Sequence, residues 1–476
     1  MLACHVPQPY FWARTPDGTM DLYGQLFRSI LWPTWESRIR RRPTLVRHEY
    51  LERTQWRSLD ELVAIQTGAL RRLVRHAYAH VPFYRQRFRQ ADITEADIKS
   101  PEDLRKLPVL TREDARERAS DRESVAYPFP TVRKNTGGTT GQPLLFGYDN
   151  DSEYWRQAIK LRGYGWAGYH PGDRALYFWG SPTPPGFDFS KARAKVLLDR
   201  FMRRETYVPC TVMTEADLRH VVRLLKRNTP KVVVCYTQAA AELARFINRN
   251  QLRGWGTIPV LCGAERLFPA DRAELERAFG PAVFETYGCR EVMLIASECE
   301  AHEGLHVSME NILVEIVVTD PDGRERPARE GETGEVVITD LHNLGMPFIR
   351  YKNGDLAVAG PADRCPCGRH LSRIAKVEGR AADLLKGADG SFVSGVAFHV
   401  LFTGLANAAR QFQVVQHRDR SVTLRIVPGD GLDDTSLESI RRGCSQLLKE
   451  LPVRIETTPE IPLTKEGKRR TVIVEA

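Results

Sequence analysis

The sequence predicts an α/β fold, in which a large domain of mixed sheets and helices is followed by a small, mobile α+β domain. With 476 residues, the chain exceeds what one hydrophobic core usually supports, so we expect at least two domains. Residues 130–340 alternate short apolar runs with helical patterns, which is typical of a mainly parallel sheet. Roughly the last hundred residues change to strands of alternating polarity around one helix, which indicates a separate domain.

The overall composition is that of a globular protein, with 42% hydrophobic and 27% charged residues. The net charge of +9 favours phosphate-bearing ligands or an anionic surface, but only weakly over so long a chain. No apolar run reaches the roughly 18 residues that span a bilayer, and the first residues lack a secretory pattern. Together with nine cysteines, this predicts a reducing, cytoplasmic location. Nucleic acid is a poor partner, because no basic stripe interleaves with aromatic residues.

A helical pattern begins at Asp21 and places five apolar residues on one face, ahead of the basic "RIRRRP" at 38–43. It fits a membrane-surface helix with a basic flank, or a helix packed on its own chain, and the second interpretation is favoured. Further helices are expected at 58–78 and after Thr111, a candidate N-cap. The five apolar residues are Leu22, Leu26, Phe27, Ile30 and Leu31.

In the large domain, four apolar runs indicate buried strands, namely "RALYFWG", "KVVVCYT", "TIPVLCG" and "PAVFETYG". The helices between them are "EADLRHVVRLLKRN" and "QAAAELARFINRN". "NILVEIVV" and "TGEVVITDL" flank a turn-rich stretch, so we expect antiparallel pairing there. In the small domain, "QFQVVQH" and "SVTLRIV" predict a hairpin, followed by a helix at 434–451 and the strand "VRIETT".

"KNTGGTTGQP" (134–143) combines three glycines with three threonines. Glycines let backbone N–H groups approach a ligand, and successive amides form an anion-binding nest. The stretch is neither GxxxxGK[ST] nor GxGxxG, because Gly141 is followed by Gln142 and Pro143. By itself it is most often only a loop.

Six motifs in order resemble those of the adenylate-forming superfamily, which includes acyl-CoA synthetases, peptide-synthetase adenylation domains and luciferases. "RKNTGGTTGQP" is similar to its phosphate loop, "GAER" and "FETYGCRE" to its adenine segments, and "TGEVVIT…MPFIRYKNGDL" to its ribose segment. "VEGRAADLLK" resembles the hinge, and "LTKEGKRR" the segment of the catalytic lysine. "GAE" and the helical N-terminus resemble the phenylacetate–CoA ligase branch, and "YGCREVMLIASEC" its members associated with capsule and exopolysaccharide biosynthesis.

The resemblance implies an AMP-forming ligase that joins a carboxylic acid to AMP from ATP, releases pyrophosphate and passes the acyl group to CoA. It leaves open another acceptor, such as an amine, a sugar or a carrier thiol, and a scaffolding role in polysaccharide assembly. The domains it implies are a helical extension at 1–90, the adenylate-forming core at 91–378 and a small domain at 379–476. A homodimer and peripheral membrane contact stay open, the latter not favoured.

The resemblance also assigns residues to the nucleotide. Loop amides and threonine hydroxyls would clamp the phosphates, Asp355 would accept hydrogen bonds from both ribose hydroxyls with Arg380 as a second contact, and Tyr287 would stack near adenine. Glu291 would lie at Mg²⁺, which bridges phosphate oxygens. The residues assigned to nucleotide binding are Thr136, Gly137, Gly138, Thr139, Thr140, Gly141, Gly263, Ala264, Glu265, Glu285, Thr286, Tyr287, Asp355 and Arg380.

Lys468 is the expected catalytic lysine, with Lys465 as its neighbouring alternative. Its ammonium would orient the attacking carboxylate and offset transition-state charge. Two positions depart from the family pattern: Arg290 stands where Thr or Ser precedes the glutamate, and Ala382 where the hinge has a charged residue. Arg290 would contact an anionic substrate or pair with an acid.

"CEAHEGLH" and the later "CPC" supply three cysteines and a histidine in two groups, which suits tetrahedral Zn²⁺. Cys299, His306, Cys365 and Cys367 resemble the zinc ligands of some ligases in this branch, with His302 as rival to His306. Four protein ligands leave no open position, so the implied site is structural. The alternative is a set of unpaired thiols.

Overall fold

The computed structural model describes most of the chain. The described residues are 21–127, 131–135, 144–179, 191–210, 214–320, 322–380, 384–389, 392–394, 398, 401–402, 408–462 and 470–475. The glycine-rich stretch at 136–143, the hinge position Ala382 and both Lys465 and Lys468 lie outside these ranges.

Eleven helices and twenty strands are found in the described residues. The helices are α1 Leu22–Leu26, α2 Thr44–Thr54, α3 Leu59–His80, α4 Pro82–Gln90, α5 Arg112–Glu117, α6 Asn150–Gly165, α7 Lys191–Arg203, α8 Glu215–Arg227, α9 Thr237–Arg249, α10 Pro269–Phe279 and α11 Asp434–Leu447. The first ten strands are β1 Val132–Asn135, β2 Leu145–Tyr148, β3 Ala175–Trp179, β4 Glu205–Pro209, β5 Val232–Tyr236, β6 Val260–Gly263, β7 Val283–Cys289, β8 Met293–Glu298, β9 Leu305–Val307 and β10 Ile312–Thr319. The others are β11 Glu325–Pro327, β12 Thr333–Asp340, β13 Tyr351–Ala359, β14 Arg373–Arg380, β15 Leu384–Lys386, β16 Phe392–Ser394, β17 Ala409–Gln416, β18 Val422–Pro428, β19 Val453–Thr457 and β20 Val472–Val474.

Side-chain hydrogen bonds cap the amino ends of two helices that the sequence predicts. Ser58 and Thr111 form capping boxes with Glu61 and Asp114, which confirms the N-cap expected at Thr111 and the helix expected at 58–78. Two π-helical turns, Phe27–Leu31 and Thr34–Ile39, continue from α1, and three 3₁₀ turns lie before β1.

A twelve-stranded mixed sheet forms the large domain, in the order β11-β10-β12-β13-β14-β9-β8-β7-β6-β5-β3-β4. The five strands β4, β3, β5, β6 and β7 are parallel, and along this sheet the named pairings from β7 to β11 are antiparallel. The predicted change from parallel to antiparallel pairing is confirmed, and it falls at β7. Because carboxyl ends of parallel strands meet at one edge, β3, β5, β6 and β7 bring their last residues together.

Helices cover both faces of the parallel strands. The apolar sides of α8, α9 and α10 pack on one face around Phe178 and Val233, and the chain around the end of α6 packs on the other, around Tyr177 and Val234. Amino-terminal helices α3 and α4 join β8–β14 in a third core that includes Leu70 and Phe348. The described residues contain no helix long and apolar enough to cross a membrane.

The segment that begins at Asp21 is only partly buried against its own chain. Phe27 is 5% exposed and lies against Gly172, where an added Cβ would come within 2.7 Å of its ring. Leu22, Leu26 and Ile30 are 68%, 45% and 56% exposed. The favoured interpretation, a helix packed on the same chain, therefore holds for Phe27 but not for these three side chains.

The carboxy-terminal section forms its own four-stranded sheet in the order β19-β18-β17-β20. The predicted hairpin is β17–β18, the predicted helix is α11 with Asp433 as N-cap, and the predicted strand is β19. Among the described residues, its apolar cluster runs from Leu385 to Val474 and includes Phe398 and Ile440.

Candidate active site and metal centre

The carboxyl ends of the parallel strands bring together residues of three different motifs. Trp179 at the end of β3 packs edge-on against Tyr236 at the end of β5, with ring centroids 4.4 Å apart. Gly263 ends β6 between them and β7: a Cβ there would lie 2.8 Å from Thr286 Oγ1 and 3.5 Å from the Trp179 ring. Thr286 is held by donating to the Cys262 carbonyl at 2.8 Å. Any residue larger than glycine at 263 would therefore displace the Thr286 side chain, which lies on the neighbouring strand β7.

The acidic residues near this edge have partners within the protein. Glu265 accepts a hydrogen bond from the Gln238 amide at 3.0 Å, in the first turn of α9, and Ala264 before it has a left-handed φ of 67°. The Glu285 amide donates to Glu298 Oε2 at 2.6 Å, and Arg272 spans both oxygens of Glu298 at 2.8 and 3.0 Å.

Burial, reinforced by the charge of Glu298, raises the pKa of Glu285 to about 7. The assignment of Ala264, Glu265 and Glu285 to the nucleotide stays a prediction.

Tyr287 and Asp355 come from motifs 68 positions apart and form one hydrogen-bonded unit. The Tyr287 hydroxyl donates to Asp355 Oδ2 at 2.9 Å. The Asn353 amide donates to both groups at 2.8 Å, and Asn353 Oδ1 accepts from the Asp355 backbone at 3.0 Å. Arg380 lies directly opposite Asp355 in the β13–β14 register. The sequence-predicted adenine and ribose residues are thus adjacent.

The sequence patterns did not single out Asn353 as a site residue. Its signal is strand periodicity, because a residue two positions from Asp355 on β13 faces the same side of the sheet.

Glu291, the expected magnesium residue, is 3% exposed and anchored by two neighbours. Its Oε1 accepts from the Tyr351 hydroxyl at 3.0 Å and from Arg112 Nη1 at 3.2 Å. Arg112 reaches it because the Thr111 cap starts α5 at this point. Sequence analysis did not single out Arg112, since nothing local marks a contact across 179 positions.

Arg290 is exposed, and its charge acts on Lys134, the residue that begins "KNTGGTTGQP". Burial lowers the pKa of Lys134, Glu153 opposes that shift, and the cations of Arg156 and Arg290 add to it. Lys134 Nζ lies 4.8 Å from the centroid of the Tyr148 ring. Arg290 and Lys134 therefore belong to one cationic neighbourhood.

Cys299, His306, Cys365 and Cys367 converge as expected, with all four ligand atoms within 4.8 Å of one another. Cys299 Sγ lies 3.8 Å from Cys365 Sγ, and Cys367 Sγ lies 3.4 Å from His306 Nε2. A tetrahedron with Zn–S near 2.3 Å and Zn–N near 2.0 Å has edges of about 3.8 Å and about 3.5 Å. The two measured separations match these edges, and three thiols with one imidazole are ligand types that Zn²⁺ prefers.

The surroundings orient this cluster. His306 Nδ1 contacts the Leu371 carbonyl at 3.2 Å, which leaves Nε2 facing the thiols. His302 instead contacts Glu298 Oε1 at 3.0 Å and is not part of the cluster. Arg369 lies over the rings of Trp56 and Trp166 and donates to Gln55 at 2.9 Å.

Comparison with known proteins places these features in a family. A family model described as the CapK C-terminal domain matches residues 385–475. The phenylacetate-coenzyme A ligase of Aromatoleum evansii is 31% identical over 350 residues, covering 70% of this chain and 74% of that ligase. The chain belongs to the phenylacetate-CoA ligase family.

Two further proteins are similar to this ligase over a larger share of its length. The protein named CapK from Staphylococcus aureus is 21% identical over 440 residues, which cover 90% of this chain and 92% of CapK. A crystal structure of 2-hydroxyisobutyryl-CoA ligase in the postadenylation state matches with a TM-score of 0.71 at 21% identity, over 89% of this chain and 92% of that one. The predicted fold class and the resemblance read from the motifs are both confirmed.

Proposed function

We propose that this protein activates a carboxylic acid as its acyl-adenylate, with release of pyrophosphate, and then transfers the acyl group to CoA. Family membership supports the reaction type. The observation that carries the proposal is the hydrogen bond between Tyr287 and Asp355, which joins an adenine motif to the ribose motif at 2.9 Å. Such a unit suits a nucleoside, because a carboxylate accepts from two ribose hydroxyls while a neighbouring ring packs on the base.

Each residue then has a distinct task. Asp355, held by Asn353, accepts from the ribose, and Arg380 on the adjacent strand adds a second contact. The amides and hydroxyls of Thr136–Gly141 bind phosphate oxygens, and Lys468 orients the acid and offsets charge at the α-phosphate. These loop and lysine assignments rest on the resemblance alone.

Magnesium fits beside Glu291, which carries the carboxylate type that the ion prefers. Its Oε1 is engaged by Arg112 and Tyr351. When bound, the ion would neutralise phosphate charge, and Arg112 would hold the carboxylate in place for it.

We assign zinc to Cys299, His306, Cys365 and Cys367 as a structural ion. Four protein donors close its coordination shell, and thiolate ligands suit a reducing compartment such as the cytoplasm. The domains we propose are the helical extension at 1–90, the core at 91–378 with the ATP and zinc sites, and the small domain at 379–476, which turns to complete the second step.

A different acyl acceptor is the second candidate. The resemblance of "YGCREVMLIASEC" to members associated with capsule and exopolysaccharide biosynthesis supports it, and so does the match of residues 385–475 to the CapK C-terminal domain. An amine, a sugar hydroxyl or a carrier thiol in polysaccharide assembly would replace CoA. Trp179 and Tyr236 would line an aromatic acid pocket under either acceptor.

The test is carboxylate-dependent exchange of pyrophosphate into ATP, which needs no acceptor. We expect exchange with one class among aryl, fatty, amino and uronic acids, abolished by Lys468→Ala and strongly reduced by Asp355→Ala. Asp322→Ala, in an exposed turn, is the matched control. ATP binding without exchange across the whole panel would contradict the adenylation step, and dependence of AMP release on CoA separates the two acceptors.

A further inference from the structure

Large apolar side chains are exposed mainly on two segments far apart in sequence. Nine of the fifteen such side chains in the described part of the chain lie at 22–39 and 196–201. Phe201 is 77% exposed, Leu22 68% and Leu198 62%. The surface formed by these side chains is called the apolar patch below: Leu22, Leu26, Ile30, Trp35, Ile39, Val196, Leu197, Leu198 and Phe201.

The two segments are in direct contact. The Tyr23 hydroxyl donates to the Met202 carbonyl at 2.5 Å, which joins α1 to the end of α7. Arg204 pairs with Asp21 at 2.7 Å and lies over the Tyr23 ring. Contacts of Phe27 with Gly172 and of Arg28 with Asp173 fix the π-helical turn after α1 on the large domain. The two segments that carry the exposed leucines are therefore neighbours in the fold rather than two isolated spots.

The same segments concentrate the positive charge of the protein. Residues 21–47 hold six arginines against two acidic residues, and residues 191–204 hold six lysines and arginines against one. Their combined net charge equals the +9 of the whole chain, so the other residues are balanced. Arg38, Arg40 and Arg41 are exposed and have no acidic partner among the described residues. Arg28 and Arg47 pair with Asp173 and Asp151, so the three exposed arginines at 38–41 carry the argument: they favour an occupant that is both apolar and anionic.

An apolar and anionic occupant can be a lipid surface more readily than a second copy of this chain or a nucleic acid. A second copy of this chain would bring the same positive surface and be repelled. Single-stranded nucleic acid binds by stacking its bases on aromatic rings, whereas the patch is mostly aliphatic. An anionic bilayer offers negative headgroups over an apolar interior, which matches a helix with exposed leucines and a basic flank.

We propose that the apolar patch docks this ligase on an anionic lipid surface. The exposed leucines and Phe201 enter the headgroup boundary, and Arg38, Arg40 and Arg41 contact lipid phosphates. Contact is peripheral, since it uses short helices that lie along the surface of the large domain.

The first experiment is sedimentation of the full-length protein with vesicles of phosphatidylcholine alone and of equimolar phosphatidylcholine and phosphatidylglycerol. We expect binding to the anionic vesicles, loss of most of that binding at high salt, and none to the neutral vesicles. Equal binding to both kinds of vesicle at every salt concentration would contradict recognition of the anionic headgroups by the basic residues.

Two sets of variants locate the contact. Replacing Leu198 and Phe201 with aspartate should weaken binding at least about tenfold, because two inserted side chains are lost. Arg40→Gln with Arg41→Gln should weaken it roughly thirtyfold, since each basic residue near the surface contributes about 1 kcal/mol. Matched controls are Val125→Asp and Arg454→Gln, which alter side chains that are 73% and 79% exposed elsewhere.

The thermal unfolding transition of every variant is measured first. An unchanged transition shows that a loss of vesicle binding is not caused by a loss of folding. Equal binding by the patch variants and the controls would overturn the proposal. So would absence of vesicle binding, and in that case sedimentation velocity and binding to acidic proteins would show whether a second copy or a protein partner covers the patch.

Discussion

At the scale of single residues, the site depends on hydrogen bonds that join distant motifs. Asp355 lies on β13 and receives two donors, from Tyr287 and Asn353, in an arrangement that leaves it fixed before any nucleotide arrives. Fixed acceptors reduce the ordering that binding would otherwise require. Removal of one donor should therefore weaken nucleotide binding without unfolding the protein.

Tyr287→Phe tests this point. The variant keeps the ring but loses the hydroxyl that holds Asp355, and a hydrogen bond to a charged group contributes about 1.5–3 kcal/mol. We expect the KM for ATP in pyrophosphate exchange to rise about tenfold or more. Tyr169→Phe is the control, because its hydroxyl also donates to a carboxylate, Glu205, at the amino end of β4, away from the site. An equal rise in both variants would contradict an orienting role for Tyr287.

At the scale of elements, a buried ion pair joins three parts of the large domain. Arg162 of α6 donates to both oxygens of Glu310 at 2.7 and 3.0 Å, and neither side chain is exposed. Thr54 at the end of α2 donates to the same carboxylate at 2.6 Å. The connection before β10 is therefore locked to α6 and to the amino-terminal helices.

Arg162→Met should destabilise the fold by about 3–5 kcal/mol, because it leaves the Glu310 carboxylate buried without its cation. Urea denaturation measures the loss. The double variant Arg162→Met with Glu310→Leu should recover much of it, since no charge is then left unpaired. Arg219→Met, from an exposed pair with Glu215, should cost less than about 1 kcal/mol. A loss at Arg162 no larger than at Arg219 would contradict the argument.

At the scale of the whole molecule, the proposed zinc site ties the turn after β8 to the loop between β13 and β14. Cys299 and Cys365 are 66 positions apart, and the cluster adjoins Trp166 and, through Arg369, the Gln55–Trp56 turn. The ion would thus hold the amino-terminal helices, α6 and the antiparallel strands in one unit.

Removal of zinc should lower the thermal stability of the large domain. We expect the purified protein to hold one zinc ion per chain by elemental analysis, and Cys365→Ala to lose both the ion and several degrees of Tm. Cys444→Ala changes a buried cysteine in the small domain and should keep the ion. Zinc retained by Cys365→Ala, or absent from the native protein, would contradict the assignment.

The sequence by itself determined the fold class, most strand and helix positions and the Cys and His residues that converge in one cluster. It also singled out Tyr287 and Asp355, though not the hydrogen bond between them. These follow from local patterns and from motifs whose order is read directly along the chain. It did not identify Arg112 or Asn353, and it left His302 open as a rival to His306. It also favoured burial for Leu22, Leu26 and Ile30, which are exposed.

Only the tertiary structure decided those points, because each depends on which distant segments meet. Glu291 finds Arg112 across 179 positions, and β9 turns His306 toward Cys367 while His302 turns to Glu298. The contact of α1 with α7 likewise brings two basic, apolar segments onto one surface. Periodicity shows that a helix has an apolar face, but only packing shows whether the protein itself covers it.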